Sequence, residues 1–520
     1  MSFLARARGL VRLSTLLDLL GAALLVASLA SLFPRSWVVG FYDEGLILTD
    51  AKMIDWGFAP YRDFYSNYPP GTFLTVLALW KLVGDTVRSV RILGIILHIV
   101  IALLSGRIAG RLAGRRFSLF AAAIVLAWLN YLFVGVCAWT FALAALLGFI
   151  ELVGPPAQAA TQGLSRARSA AAGFALGLVG CYRHDLLVYF GCALVLVAGT
   201  YFLWQKTWPA LDWRALIAGA ALPLALVWIP TFARAGIHQV VADLYSDQVH
   251  YVLPARKLPF PPLLKLHHHY FPAFFGRIFE ACIVTMLIGP FLGLTTLFFA
   301  RRRGQNVILA LTLTAAALAV IPQGAGRTDL PHVLYTVAPG LILLVGLLER
   351  LLLATPGWYW KWPLSLVIAA FLIWPAYDQL HSPADALLPR EPPVRAVRQQ
   401  LMAYIQDHTQ PGERIFISYR QHRHLLANEI DLYYYCDRPG ATRYMQYDPN
   451  VINRADVQQE MANELERNHV RYVVLMVDGG YWDEPNESRK IGATVLDDYI
   501  RSHYKLVTSF GRYEVHQRIE

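Results

Sequence analysis

Charge is what this sequence has least of. Only 16% of its 520 residues are Asp, Glu, Lys or Arg, against roughly a quarter in an ordinary soluble domain. That shortage excludes a water-soluble globular protein of this length. Cysteine is sparse as well: Cys137, Cys181, Cys192, Cys282 and Cys436. Most of them fall in or beside apolar runs and no two have metal-ligand spacing, so neither a disulfide framework nor a zinc site follows. Nucleotide machinery is missing too. The chain has no Walker A loop, no Gly-rich turn after a strand and no Gly-x-Ser-x-Gly elbow. It also lacks internal repeats and low-complexity tracts.

Apolar sequence fills the space. Hydrophobic residues make up 56% of the chain, and the mean hydropathy is +0.41. Apolar runs recur, each near the ~20 residues a helix needs to cross a bilayer. The expectation is a polytopic α-helical membrane protein. Arg6, Arg8 and Arg12 precede the first run, which reads as an uncleaved helix because so many spans follow it. The net charge of +10 does not imply nucleic acid. Its arginines sit in short patches between apolar runs, where topology explains them.

About eleven spans are expected on length and hydropathy. The first covers Leu13 to Phe33. A segment outside the membrane follows, ending in a short apolar stretch from Thr72 to Val83. If that stretch lies on the outer surface, Val90 to Ile108 becomes the second span and Arg107, Arg111, Arg115 and Arg116 stay inside. Further spans are placed at Leu119–Val136, Ala138–Val153, Ala171–Tyr182, Leu186–Trp204 and Leu216–Phe232. The last four lie at Ile278–Phe299, Val307–Ile321, His332–Leu348 and Pro363–Tyr377. This arrangement puts nearly every dense basic patch on one side and the C-terminus on the other. From about Pro383 charge rises, and strand-like pieces (Arg414–Tyr419, Arg471–Val477, Tyr504–Phe510) alternate with helix-like ones (Val394–Asp407, Ala455–Asn468). The expected organisation is a membrane domain over 1–382, with a first external loop at 34–88 that carries amphipathic surface helices. An extracytoplasmic α/β domain over 383–520 completes it.

Chemistry-bearing residues concentrate outside the membrane. Asp43 and Glu44 open an amphipathic stretch whose apolar residues include Leu46, Ile47, Met53, Ile54 and Trp56, with Gly57 available to stop a helix. The bland account is a helix cap and a first-turn acid, worth ~1 kcal/mol. The other is a catalytic carboxylate above the bilayer. Neighbouring side chains diverge by about 100° on a helix, so one of the pair faces any reaction centre. Basic residues on the outside break the positive-inside rule: Arg88, Arg91, Arg183, Arg256, Lys257, Arg277 and Arg327. Anion binding is one reason to keep them there, and snorkelling to headgroups is the other. The Arg327-x-Asp329-x-x-His332 grouping suits either a phosphate or sugar site or a satisfied helix cap. His267-His268-His269 reads as an interfacial loop rather than a metal tract. Near the span ends, the tyrosines and tryptophans suit an aromatic belt.

The first external segment resembles the GT-C class of membrane glycosyltransferases, which includes the bacterial lipid A aminoarabinose transferases and the protein O-mannosyltransferases. The resemblance lies in Tyr42-Asp43-Glu44-Gly45, in Gly57-x-x-Pro60-Tyr61-x-Asp63-Phe64, in Pro69-Pro70-Gly71 and in Val87-Arg88-Ser89-Val90-Arg91. It is good over about the first 120 residues and architectural in the tail. It implies a sugar donor on a polyprenyl phosphate and inverting transfer to a glycolipid, polysaccharide or protein acceptor, in a multi-pass protein of the inner (plasma) membrane with its site outside. Asp43 is then the base and Glu44 its support. Arg88, Arg91, Arg183, Arg256, Lys257 and Arg327, with Asp185 and His332, are candidates for the donor phosphate, with or without a divalent cation. Some relatives carry a second external acid between the third and fourth spans. Here that region is Val134-Gly135-Val136-Cys137-Ala138-Trp139, without an acid, and Asp185 is the substitute. A polytopic transporter or lipid-carrier flippase is the competing expectation. Intramembrane charge favours it, and the lack of an inverted repeat or paired broken helices opposes it.

Overall fold

The structure is a computed structural model that describes residues 15–16, 18–29, 40, 42–130, 135–154, 164–206, 211–256, 273–302, 307–353, 359–380, 394–423, 427–448, 450–477 and 492–519. Lys257 and His267 to His269 lie outside the described residues. The chain forms two compact units. One comprises Met1–Arg35, Arg91–Ala225 and Pro259–Pro389; the other comprises Ser36–Val90, Leu226–Leu258 and Arg390–Glu520.

The first unit is helical. A helix overlies each stretch expected to span, including Ala138–Val153, Arg166–Tyr182, His184–Gln205 and Ala273–Arg302. Among the described residues, five helices are long and apolar enough to cross a membrane: Val87–Ala113, His184–Trp204, Trp213–Ala235, Arg277–Ala300 and Val307–Gly326. The protein is a multi-pass membrane protein. One expected span departs from the plan. His332–Leu348 is broken, with a short helix Leu330–Leu334 preceding Ala338–Leu353. Pro331 starts the first piece, and Asp329 caps it by accepting the His332 N–H at 3.0 Å, so helix formation begins ahead of the apolar run.

Small residues set the tightest helix crossing. A Cβ on Gly173 would lie 1.9 Å from the Leu216 carbonyl oxygen, and one on Gly177 2.3 Å from that of Ala220. Only glycine lets helices Arg166–Tyr182 and Trp213–Ala235 approach this closely, which is how helices pack where lipid offers no hydrophobic drive. At one end of the same unit, arginines cap a helix. Arg111 donates to the carbonyl oxygen of Glu151 at 2.9 Å, and Arg168 donates to those of Leu152 and Gly154 at 2.6 and 2.9 Å. Arg107 reaches the Glu151 carboxylate at 2.8 Å. These basic residues therefore complement the negative end of Ala138–Val153.

The second unit is built on a sheet of strands β1 (Phe416–Tyr419), β2 (Tyr472–Met476), β3 (Tyr504–Phe510) and β4 (Tyr513–Arg518), in the order β1-β2-β4-β3. β1 and β2 are parallel, with Ile417 opposite Val474; β4 runs antiparallel to β2 and to β3. The runs Phe-Ile-Ser-Tyr of β1, at one edge, and Tyr-Val-Val-Leu-Met of β2, inside the sheet, are buried throughout, as expected of strands covered on both faces. β4 is the strand that sequence patterning passes over. It follows β3 after Gly511 and Arg512, and the Gly511 φ of 55° makes the tight turn. Helices Ala396–His408, Asp431–Cys436, Ala455–Arg467 and Val495–His503 accompany the sheet.

The segment after the first apolar run, Ser36–Val90, folds in this second unit. Helix Asp43–Asp55 ends at Trp56, and Gly57 turns the chain with a φ of 94°. A loop to Pro70 leads into helix Gly71–Val83. Leu46, Met53 and Phe64 share a core with Ile417, Leu432, Tyr433 and Val474. The piece from Leu226 joins through Arg234, which donates to the Gly57 carbonyl at 2.8 Å, and through Val240 and Leu244 against Tyr61.

Candidate active site

Asp43 is the first residue of its helix, after Tyr42 at the cap position, and its side chain is exposed. It is a first-turn acid and not the cap itself. Glu44 is buried, and its Oε2 accepts the Gly40 N–H at 3.1 Å. The two carboxylates thus divide the work that their spacing left open. One faces out and the other ties down the chain entering the helix.

Three buried carboxylates missed by sequence reading lie on this helix or elsewhere in the same unit. Asp50, two turns after Asp43, is fully buried. Burial pushes its carboxyl well above the ordinary range, and the Ser66 hydroxyl offsets this only in part. The i, i+7 spacing from Asp43 was the available signal. Asp243, in the short helical segment Ala242–Ser246, accepts from Arg443 through both oxygens at 2.5 Å. Burial drives Asp243 up to about 6, although the Arg443 guanidinium pulls the other way. Arg443 also donates to the Tyr61 carbonyl at 3.1 Å, where Tyr61 holds a left-handed φ of 69°. Arg443 thus fixes the loop that follows helix Asp43–Asp55. The third group is Asp431, paired with Arg398 at 2.8 Å and raised to about 6 by burial.

The candidate phosphate ligands fall in both units. In the first, Arg183 alone separates helices Arg166–Tyr182 and His184–Gln205. It donates to Asp185 through Nε at 2.9 Å and through Nη2, to Gln323 at 2.9 Å, and lies over the Trp139 ring at 4.7 Å. Gln323 in turn accepts the Arg327 N–H at its carbonyl, at 3.4 Å. Arg327 pairs with Asp329 at 2.6 Å, and Asp329 also receives His332 Nδ1 at 2.5 Å. Burial would raise Asp329, but His332 and Arg327 outweigh it and hold the carboxyl well below its usual range. Trp139 and Tyr335 stack at 6.4 Å with planes 2° apart. Arg183, Asp185, Arg327 and His332 are therefore linked with Gln323, Trp139 and Tyr335 in one chain of contacts. No sequence signal marks Gln323 as the residue that joins them. Arg91 is buried in the helix that begins at Val87. In the second unit Arg88 is exposed, and Arg256 ends the short helix Leu253–Arg256. Among the described residues no three His, Cys, Asp or Glu side chains gather as a metal-binding group.

One constellation imitates a hydrolase. Ser418 Oγ lies 2.5 Å from His422 Nε2, and His422 Nδ1 lies 2.6 Å from Asp497 Oδ1. Ser418 and His422 are 0% and 1% exposed, and the Tyr447 hydroxyl sits against the same Oγ. The chain of bonds satisfies polar groups in a core and tethers the start of helix Val495–His503.

The architecture is that of the GT-C membrane glycosyltransferases. The chain is similar to ArnT from Cupriavidus metallidurans, solved bound to undecaprenyl phosphate. The TM-score is 0.52 at 16% identity, covering 99% of this chain and 98% of that one. It is also similar to the oligosaccharyltransferase of Archaeoglobus fulgidus, solved with a tethered acceptor peptide, at a TM-score of 0.50 and 12% identity over 88% of this chain and 68% of that one. The arabinofuranosyltransferase AftD from Mycobacteria matches at a TM-score of 0.50 and 15% identity, over 97% of this chain and 41% of that one. No protein-family model and no curated protein matches the chain.

Proposed function

We propose that this protein is an inverting glycosyltransferase that moves a monosaccharide from a polyprenyl-phosphate carrier to an acceptor hydroxyl on the extracytoplasmic side. The observation that carries the reading is its fold correspondence, along nearly its whole length, with ArnT solved bound to undecaprenyl phosphate. The acceptor is a glycolipid, a polysaccharide or a protein. Asp43, exposed on the first turn of its helix, takes the acceptor proton as the acceptor oxygen bonds to the anomeric carbon. The bond from that carbon to the phosphate oxygen breaks, and its electron pair leaves on the phosphate. Glu44 positions Asp43 and does not react.

Fixed positive charge stabilises the leaving phosphate. Arg183, Arg327 and Arg91 are assigned this role in the first unit, while Asp185 orients Arg183 and His332 lies beside the Asp329 that holds Arg327. Arg88, Arg256 and Lys257 are proposed for the phosphate on the GT-C resemblance alone. The packing of Trp139 beside Arg183 supports Asp185 as the acid that the loop before Ala138 lacks. The carboxylate partners orient the guanidinium forks, and a bound phosphate competes for the same donors.

The test is transfer in vitro from defined polyprenyl-phosphate sugars to candidate acceptors, with and without a chelator, read by mass spectrometry. A glycosylated acceptor of inverted configuration is expected. Failure to transfer from every polyprenyl-phosphate donor would overturn the reading.

A further inference from the structure

The face that helix Asp43–Asp55 turns toward the C-terminal segment is marked at regular intervals. The Tyr42 hydroxyl donates to the Tyr447 carbonyl at 2.7 Å, and Thr49 Oγ1 donates to the Ile430 carbonyl at 2.7 Å. Between them Gly45 meets helix Asp431–Cys436 so closely that a Cβ would lie 2.6 Å from Asp431 Cβ and 2.8 Å from its backbone nitrogen. Lys52 pairs with Asp437 at 3.4 Å, just past the end of that helix. Positions 42, 45, 49 and 52 repeat at three and four residues, which is one stripe of a helix. Asp43 lies about 100° from Tyr42 around the axis, off the stripe, and is the exposed member of its pair.

We propose that helix Asp431–Cys436, held by Arg398, positions the helix bearing Asp43, and that the C-terminal α/β segment is therefore part of the transfer machinery and not a separate accessory. Asp431 is fully buried and its Oδ2 accepts from Arg398 Nη2 at 2.8 Å. Glu429 stands 3.8 Å from the same nitrogen. Stacking of Trp80 on Tyr434, at 5.6 Å and 26°, ties the following helix to the same element. A slip of one residue would turn the Asp43 carboxylate by about 100°, so the docking fixes its direction as well as its height. Arg398 and Asp431 are positioning residues; neither touches substrate.

This inference rests on the transferase reading, and its test separates the two. Gly45→Ala, Arg398→Gln and Arg398→Lys are compared with Arg471→Gln, which breaks an exposed pair with Glu413 elsewhere in the same unit. Donor kinetics and hydrogen exchange are both measured. Gly45→Ala and Arg398→Gln should lower kcat at least tenfold with the donor KM within about twofold, because only the position of the base is disturbed. Amide protection across Asp43–Asp55 should fall about tenfold while β1 and β2 stay protected. Arg398→Lys should recover part of both, and Arg471→Gln should change neither. Wild-type kcat in both disruptive variants, or unchanged protection of the helix, overturns the proposal. So does equal loss of protection in the strands of Arg398→Lys, which would mark Arg398 as a general stabiliser. If the wild-type chain transfers no sugar while helix protection still depends on Arg398, the docking stands and the transferase reading falls.

Discussion

Two adjacent carboxylates in this protein have separate fates, and the difference is burial. Asp43 is exposed while Glu44 accepts a backbone N–H from inside the fold. Replacing Asp43 by Ala or Asn should lower transfer by about 10²-fold or more, the range for loss of a general base, with expression and melting unchanged. Transfer at the wild-type rate in both variants would remove Asp43 from the mechanism. Glu44→Gln should instead weaken the helix start by about 1 kcal/mol and keep measurable transfer. Asp50 gives a prediction of a different kind. Its folded-state carboxyl is raised by burial, so the folded chain holds this proton more tightly than the unfolded one. Its contribution to stability is therefore full at low pH and is lost as pH rises above the ordinary carboxylate range. Asp50→Asn cannot ionise, so its melting temperature in detergent should gain on that of wild type over the pH range above the ordinary carboxylate values. A constant difference across that range would show that Asp50 does not titrate in this way.

At the scale of elements, close approach does most of the specifying. Gly173 and Gly177 admit the backbone of helix Trp213–Ala235 to within contact. Gly173→Leu should force the two helices apart and cost about 1–3 kcal/mol or more, as overpacking does, seen as a lower melting temperature of the purified protein. The Ser418, His422 and Asp497 chain also belongs here. Its bonds have the spacing of a nucleophile with its base, yet its burial leaves no room for a substrate to reach Oγ. A fluorophosphonate probe should leave Ser418 unlabelled in the folded protein. Ser418→Ala should cost about 1 kcal/mol, the worth of a typical buried hydrogen bond. Labelling at Ser418 would show that this core opens.

For the whole molecule, the proposed chemistry requires the Asp43 segment to face away from the cytoplasm. Arg62 is half exposed on that segment. In a chain carrying Cys192→Ser, which removes the exposed native thiol, Arg62→Cys should react with a membrane-impermeant maleimide in intact cells or spheroplasts. Protection until the membrane is opened would reverse the topology and with it the mechanism.

Composition and periodicity determined the membrane class and where the helices lie. Low charge and recurrent apolar runs leave few alternatives in a bilayer, since every backbone polar group must be satisfied within its own helix. The order Asp43-Glu44-Gly45 and Gly57 likewise placed the helix that carries Asp43, because a helix start and its stop are local signals. Sequence did not disclose β4, a short strand of mixed polarity whose place is set by its hydrogen bonds to β2 and β3. Nor did it disclose that Gln323 joins Arg183 to Arg327, or that Arg443 reaches back to Asp243 and Tyr61. Apart from the local helical bond between Gln323 and Arg327, these partners lie far apart in the chain, and no rule of spacing links them. The grouping of residues 36–90 and 226–258 with 390–520 was decided only by tertiary structure. Contact across hundreds of residues depends on which buried faces fit each other, and that complementarity is a property of packed surfaces rather than of any one segment.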